Sequence, residues 1–154
     1  MGSFTQLAYH VVFGTKYRKP TIEEDIEERL YEYIGGIIRE RKGRLVSIGG
    51  VMDHVHILAK LSPVLAVADV IRDVKAVSSK WINEQPKRIQ AFEWQKGYAA
   101  FTVSYSQLPV IQSYIENQKE HHKEKSFREE YIQLLKRHGI DFRMEFLFEG
   151  EHHG

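Results

Sequence analysis

Two histidines separated by one residue are the feature of this sequence most able to do chemistry. His54 and His56 lie in the run at residues 53–58, whose flanking apolar residues are typical of a central strand. Side chains two residues apart on a strand share a face and lie about 6.6 Å apart. Such a pair is half of a divalent-metal site. It is equally compatible with two surface histidines on the polar face of a sheet.

Richer patterns built on this motif are absent from the chain. Metallo-β-lactamase-like hydrolases continue with Asp-His directly after the pair, whereas Ile57 and Leu58 follow here. Phosphoesterases with two His-X-Thr/Ser motifs need a second motif, and the chain has none. Because there is no cysteine, disulfides, thiolate zinc sites and cysteine nucleophiles are excluded.

A tyrosine and a glutamine four residues apart form the second candidate feature. Tyr114 and Gln118 fall in a predicted helix, where residues i and i+4 are neighbours on one face. Tyr114 is a candidate nucleophile, although a partly buried tyrosine completing an amphipathic helix explains the pattern as well. We treat His121 and His122, one turn further on, as exposed histidines at the helix end.

The charge distribution leaves nucleic-acid binding open. The net charge is +1, which is unlike a protein coated with basic residues. Acidic residues crowd residues 23–32, and the rest of the chain is basic. Four basic residues and one tyrosine are candidate DNA contacts, although an ordinary solvated surface explains them as well: Lys16, Tyr17, Arg18, Lys80 and Lys87.

The elements that must position these side chains alternate between strands and helices. We predict strands at residues 4–15, 45–51, 54–61 and 98–106, and a short one near Phe92 and Trp94. We predict helices from an N-cap at Thr21 to about residue 41, over residues 67–81, after Pro109, and over residues 126–137. Gly49 and Gly50 indicate a turn or bulge. This order predicts an α+β ferredoxin-like sandwich, with a mainly antiparallel sheet and helices on one face.

Length and composition indicate an ordinary globular protein. The 154 residues are 42% hydrophobic and 28% charged, which is enough for one domain with its own core. We expect a single domain over residues 1–154, with residues 126–154 as a C-terminal helix and tail. No apolar run approaches the length needed to span a membrane, and we expect a cytoplasmic protein.

Four stretches of the chain are informative in combination: residues 8–18 (AYHVVFGTKYR), 52–58 (MDHVHIL), 78–81 (SSKW) and 114–118 (YIENQ). Together they resemble the single-tyrosine HUH transposases, which mobilise insertion sequences as single-stranded DNA, and the related REP-associated tyrosine transposases. The resemblance covers nearly the whole chain.

The resemblance implies a mechanism, a cofactor and partners. It implies that His54, His56 and Gln118 bind Mg²⁺ or Mn²⁺, and that Tyr114 attacks a DNA phosphate to form a 5′-phosphotyrosine. It also implies hairpin-bearing single-stranded DNA as substrate and a homodimer, in which one subunit's tyrosine helix can complete the other's active site. An imidazole pair suits manganese better than magnesium. The sequence shows no general base beside Tyr114.

Two other classes remain as alternatives. A replication- or relaxase-type HUH nuclease would use the same chemistry, but its usual additional domains do not fit in 154 residues. A domesticated relative that binds hairpins without cutting them would not need Tyr114.

Overall fold

Four strands form one antiparallel sheet in the computed structural model, which describes residues 2–88 and 90–148. The strands are β1 (Ala8–Gly14), β2 (Arg44–Val51), β3 (His54–Lys60) and β4 (Ala99–Val103), in the sheet order β2-β3-β1-β4. The helices are α1 (Glu24–Glu40), α2 (Val67–Asn83), α3 (Leu108–Glu116), α4 (Gln118–His121) and α5 (Phe127–Arg137). The chain order of β1 to β4 with α1 and α2 confirms the predicted α+β, ferredoxin-like arrangement.

One face of the sheet is the main hydrophobic core. Val11 and Phe13 of β1 and Val55 and Ile57 of β3 point to this face, where they pack against α1 and α2. The helical stripe of α1 supplies buried residues such as Leu30, because residues three and four apart share one side of a helix. The sequence predicted this layer, in which α1 and α2 cover one face of the sheet.

The opposite face is also covered by helices, which the sequence did not predict. Ala8 and Leu58 pack against α3, and Val12 packs against α5. The expectation of helices on one face therefore accounts for α1 and α2 only. This face carries the apolar residues Ala8, Val12 and Leu58 between its histidines, and removal of these side chains from water favours a second helical layer.

Several element boundaries differ from those predicted. The first strand begins at Ala8, and α1 begins at Glu24, with Glu23 rather than Thr21 at its N-cap. The backbone N–H of buried Ile22 donates to Met52 O at 2.9 Å. This bond ties the chain to the β2–β3 turn, so the helix starts only after it. The short strand near Trp94 is a single bridge to Thr15.

The capping box of α5 agrees with the predicted start of that helix. Ser126 is the N-cap and Glu129 closes the capping box. Within residues 2–88 and 90–148, no helix combines the length and apolar character needed to cross a membrane.

Gly49 lets α3 approach the sheet closely. Gly49 and Gly50 lie inside β2, paired with β3, and the register shift lies instead between Leu45 and Ser47. The predicted turn or bulge at the two glycines is therefore wrong. A Cβ on Gly49 would lie 2.5 Å from Ile115 O, so a larger residue would displace the helix that carries Tyr114.

Gly49→Ala should lower the free energy of unfolding by about 1–3 kcal/mol, the usual cost of overpacking. Denaturant unfolding measures this effect. Gly36→Ala is the matched control, because its Cβ would meet only the end of the Arg39 side chain, at 3.8 Å. It should stabilise α1 by about 0.5–1 kcal/mol. A Gly49→Ala protein as stable as the wild type would contradict the close approach.

Candidate active site and metal centre

The two predicted histidines lie side by side under the second helical layer. His54 and His56 are fully buried on the face opposite to Val55 and Ile57, so they are not surface histidines. The His54 ring stacks on Phe127 of α5, with ring centroids 4.2 Å apart. Burial arises because α3, α4 and α5 close over this end of the sheet.

A carboxylate orients His54. Its Nδ1 lies 2.7 Å from Asp53 Oδ1, and since a carboxylate only accepts, Nδ1 carries the hydrogen. Nε2 then points into the cluster, toward Gln118. A hydrogen bond of this kind on the far nitrogen is the usual way in which proteins orient a metal-binding imidazole.

A third histidine, His10 of β1, holds His56. It is buried, and its Nε2 lies 2.8 Å from His56 Nδ1. Burial lowers the pKa of His10 to about 3 and that of His56 to about 4, each with help from neighbouring histidines. Both rings are therefore neutral at pH 7, and neutral imidazole is the form that binds metals.

Tyr114 and Gln118 reach the histidines of their own chain. The helix is interrupted at Asn117, so that Tyr114 lies on α3 and Gln118 begins α4. The two remain one turn apart, as predicted, and Gln118 Oε1 lies 3.0 Å from His54 Nε2. The structure therefore brings together four side chains that the sequence singled out: His54, His56, Tyr114 and Gln118.

The sequence did not single out Glu130, which lies at the centre of this group. It is a buried carboxylate on α5, 3% exposed. Its Oε1 lies 3.0 Å from His56 Nε2, and its Oε2 accepts hydrogen bonds from Gln118 Nε2 at 2.9 Å and from the Tyr114 hydroxyl. The sequence did contain a signal for this role, because Glu130 falls within the otherwise apolar stripe of α5. The buried residues of this stripe are Phe127, Glu130, Tyr131, Leu134 and Leu135. A charged residue in a buried stripe indicates a paired or functional group.

His122 is also part of the cluster, so its treatment as an exposed helix-end histidine is wrong. Its side chain is 8% exposed, and its Nε2 lies 2.8 Å from Glu130 Oε1. Spacing offered the clue, since Tyr114, Gln118 and His122 recur every four residues. His121 is exposed, as predicted, with its ring centroid 4.8 Å from that of Tyr114.

The charges of the cluster are strongly coupled. Burial lowers the pKa of His54, but hydrogen bonds to Asp53 and Glu130 outweigh it and raise the pKa to about 9. Burial raises the pKa of Glu130, but hydrogen bonds from His122, His54 and His56 hold it well below its usual range. Burial raises the pKa of Tyr114 above its ordinary value, and the charge of Glu130 adds to this effect. The tyrosine therefore needs a nearby positive charge to become a nucleophile.

The donor set fits a divalent ion. His54 Nε2 faces Gln118 Oε1 and, at 3.3 Å, Glu130 Oε1. The Gln118 amide nitrogen donates to Glu130, which fixes the amide oxygen toward His54. The proton on His54 Nε2 is shared with these two oxygens, and a metal ion that displaced this proton would leave three acceptor atoms converging on it. The ligand atoms of His54, His122 and Glu130 all lie within 4.8 Å of one another.

The basic segment at residues 16–18 lies beside the histidine end of the sheet. It forms a 3₁₀ turn directly after β1, whose last residue, Gly14, pairs with His54. Tyr17 is 51% exposed, and its ring lies 5.4 Å from the Lys16 ammonium. Tyr17 and Arg18 have positive φ angles of 59° and 56°, a strained conformation that often marks functional segments.

The other two predicted DNA contacts lie elsewhere. Lys80 is exposed on α2, and Lys87 is exposed beyond it, near the start of α1. Both belong to the helical layer on the far side of the sheet from His54 and His56. A DNA strand would have to pass around the edge of the sheet to contact them and the histidine cluster together.

Comparison with known proteins identifies the class. Residues 3–118 match the family described as "Transposase IS200 like", and the chain therefore belongs to this transposase family, as its motifs indicated. Its similarity extends to the ISDra2 transposase TnpA of Deinococcus radiodurans. The two are 27% identical over 122 residues, which cover 76% of this chain and 87% of that protein.

Two solved structures have the same fold. A crystal structure described as a transposase of Deinococcus radiodurans R1 superposes with a TM-score of 0.59 at 27% identity, covering 77% of this chain and 95% of that one. A REP-associated tyrosine transposase bound to a REP hairpin gives a TM-score of 0.60 at 12% identity, over 79% of this chain and 74% of that one.

Proposed function

We propose that this transposase cleaves and rejoins single-stranded DNA through a covalent bond to Tyr114, with a divalent ion bound by His54, His56 and Gln118. The observation that carries the proposal is the meeting of these four side chains in one buried cluster. A tyrosine next to converging metal-binding atoms has the parts needed for metal-assisted phosphoryl transfer.

The covalent step exchanges one phosphodiester bond for another. Tyr114 Oη attacks the phosphorus, a bond between Oη and phosphorus forms, and the bond to the 3′-oxygen breaks. The tyrosine proton leaves Oη, where the Glu130 carboxylate is its nearest acceptor, and the departing 3′-oxygen takes up a proton from solvent. Rejoining reverses these steps and needs no ATP, because the phosphotyrosine keeps an ester linkage.

The protein side chains orient the participants. Asp53 is hydrogen-bonded to Nδ1 of His54, and His10 is hydrogen-bonded to Nδ1 of His56. The Nε2 atoms of His54 and His56 are therefore directed into the cluster. A bound Mg²⁺ or Mn²⁺ would polarise the scissile phosphate and stabilise the leaving oxygen. Nitrogen ligands favour Mn²⁺ over Mg²⁺.

The proposed substrate is a single strand that carries a hairpin. The structural relative bound to a REP hairpin supports this substrate class. The exposed ring of Tyr17, flanked by Lys16, offers base stacking and phosphate contact at the end of β1 that pairs with His54. We propose a homodimer as the active form, with each Tyr114 able to act in its own subunit.

The test is adduct formation. The protein would be incubated with Mn²⁺ and labelled single-stranded oligonucleotides taken from the sequences that flank its own gene. A labelled band at the size of protein plus DNA, resistant to denaturant and absent with EDTA, is expected. Folded protein that binds Mn²⁺ and hairpins but forms no adduct with any oligonucleotide would instead favour a hairpin-binding protein that does not cut.

Tyr17→Ala should weaken hairpin binding about tenfold, since stacking of one base on an aromatic ring contributes about 1–3 kcal/mol. Fluorescence anisotropy at fixed salt measures this change, and Mn²⁺ affinity should stay constant. Tyr33→Ala, which removes a partly exposed tyrosine from α1 on the other face, is the control. Unchanged hairpin binding by Tyr17→Ala would show that Tyr17 in the 3₁₀ turn is not part of the DNA interface.

A further inference from the structure

The chain beyond residue 118 lies outside the segment that matches the family, yet it contributes two side chains to the cluster. His122 follows α4, and Glu130 lies on α5. Burying a carboxylate costs several kcal/mol unless positive groups compensate it. Relying on the proposed function, we propose that Glu130 and His122 are also ligands of the divalent ion that His54 binds.

Distances within the cluster match neighbouring positions around one ion. Glu130 Oε1 lies 3.3 Å from His54 Nε2, 3.0 Å from His56 Nε2 and 2.8 Å from His122 Nε2. Adjacent ligands of an octahedral ion with bonds of about 2.1 Å are separated by about 3 Å. Both imidazoles of the motif thus have the Glu130 oxygen at coordination spacing, and the ligand nitrogen of His122 lies within 4.8 Å of that of His54.

The second carboxylate oxygen connects this ligand to the nucleophile. Glu130 Oε2 accepts hydrogen bonds from the Tyr114 hydroxyl and from the Gln118 amide nitrogen. A single side chain therefore reaches the ion with one oxygen and positions Tyr114 with the other.

A carboxylate suits the ions in question. Mg²⁺ and Mn²⁺ prefer oxygen ligands, and three imidazoles with one amide oxygen form a poor site for them. Glu130 adds an anionic oxygen to that set. A purely structural role, in which Glu130 only pairs with protonated histidines, predicts no loss of metal affinity when its charge is removed.

Calorimetric titration with Mn²⁺ separates the two roles. Glu130→Gln keeps the side-chain shape and should weaken Mn²⁺ binding by more than about 100-fold, beyond the 10- to 100-fold loss typical of residues that only support ligands. Glu129→Gln is the matched control, because Glu129 is exposed and glutamine also closes a capping box. Its Mn²⁺ affinity should equal that of the wild type.

His122→Gln provides a second route if Glu130→Gln does not fold, with His121→Gln as its neighbouring control. His122→Gln should weaken Mn²⁺ binding and remove one imidazole nitrogen coupling from the pulsed EPR spectrum of bound Mn²⁺, whereas His121→Gln should change neither. Wild-type affinity in folded Glu130→Gln, or in His122→Gln with an unchanged spectrum, would overturn this inference and leave the proposed function standing. Absence of Mn²⁺ binding by the wild type would overturn both.

Discussion

Replacement of Tyr114 by phenylalanine should abolish the covalent protein–DNA adduct and lower the cleavage rate by about 10⁴-fold or more, as for other nucleophile deletions. The substitution removes only Oη, the atom that would bond to phosphorus. It also removes a hydrogen bond to a buried carboxylate, so the free energy of unfolding should fall by about 1.5–3 kcal/mol. Denaturing gels measure the adduct, and calorimetry should show Mn²⁺ binding retained.

Tyr33→Phe is the control for this substitution, because Tyr33 lies on α1, across the sheet from the cluster. It should form adduct at the wild-type rate. If the Tyr114→Phe protein still became covalently attached to DNA, the nucleophile would have to be another side chain. Peptide mapping of the wild-type adduct would then identify it.

Replacement of His54 by alanine should weaken Mn²⁺ binding by at least about 100-fold and remove adduct formation, while the nucleophile stays in place. His54 Nε2 is directed at the converging oxygens of Gln118 and Glu130, so the substitution removes the nitrogen at the point where these oxygens meet. Calorimetry measures the affinity, and adduct yield at saturating Mn²⁺ separates weaker binding from slower chemistry.

His138→Ala is the control histidine, since His138 lies beyond the end of α5 and stacks on Phe101. It should keep wild-type Mn²⁺ affinity. Equal affinity of the His54→Ala protein and the wild type would show that the ion, if one binds, binds elsewhere. The HUH assignment of the metal site would then fail, even if Tyr114 proved to be the nucleophile.

Local periodicity predicted the parts of the site that depend on one element at a time. A strand places alternate residues on one face, so the sequence alone put His54 and His56 together and Val55 and Ile57 in the core. A helical turn put Gln118 beside Tyr114, and this neighbour relation survives the break at Asn117. Their roles as metal ligands and nucleophile stay predictions until the variants are measured.

Errors arose where contacts distant in sequence override local signals. Thr21 is a residue type that favours a helix N-cap. The hydrogen bond from Ile22 to the β2–β3 turn lies just after it, however, and the helix begins only at Glu24. Gly49 resembles a turn residue, but it lies in β2 paired with β3, where α3 packs against it. Each local preference is worth about 1 kcal/mol, less than the packing that opposes it.

The sequence by itself determined the family, the α+β class and the four side chains that carry the proposed chemistry. Only the tertiary structure decided that the second sheet face is covered, and that His10, His122 and Glu130 join the cluster. Glu130 lies 74 residues from His56 along the chain. No helical or strand period extends over such a separation, so the meeting of these groups depends on how α5 packs against the sheet.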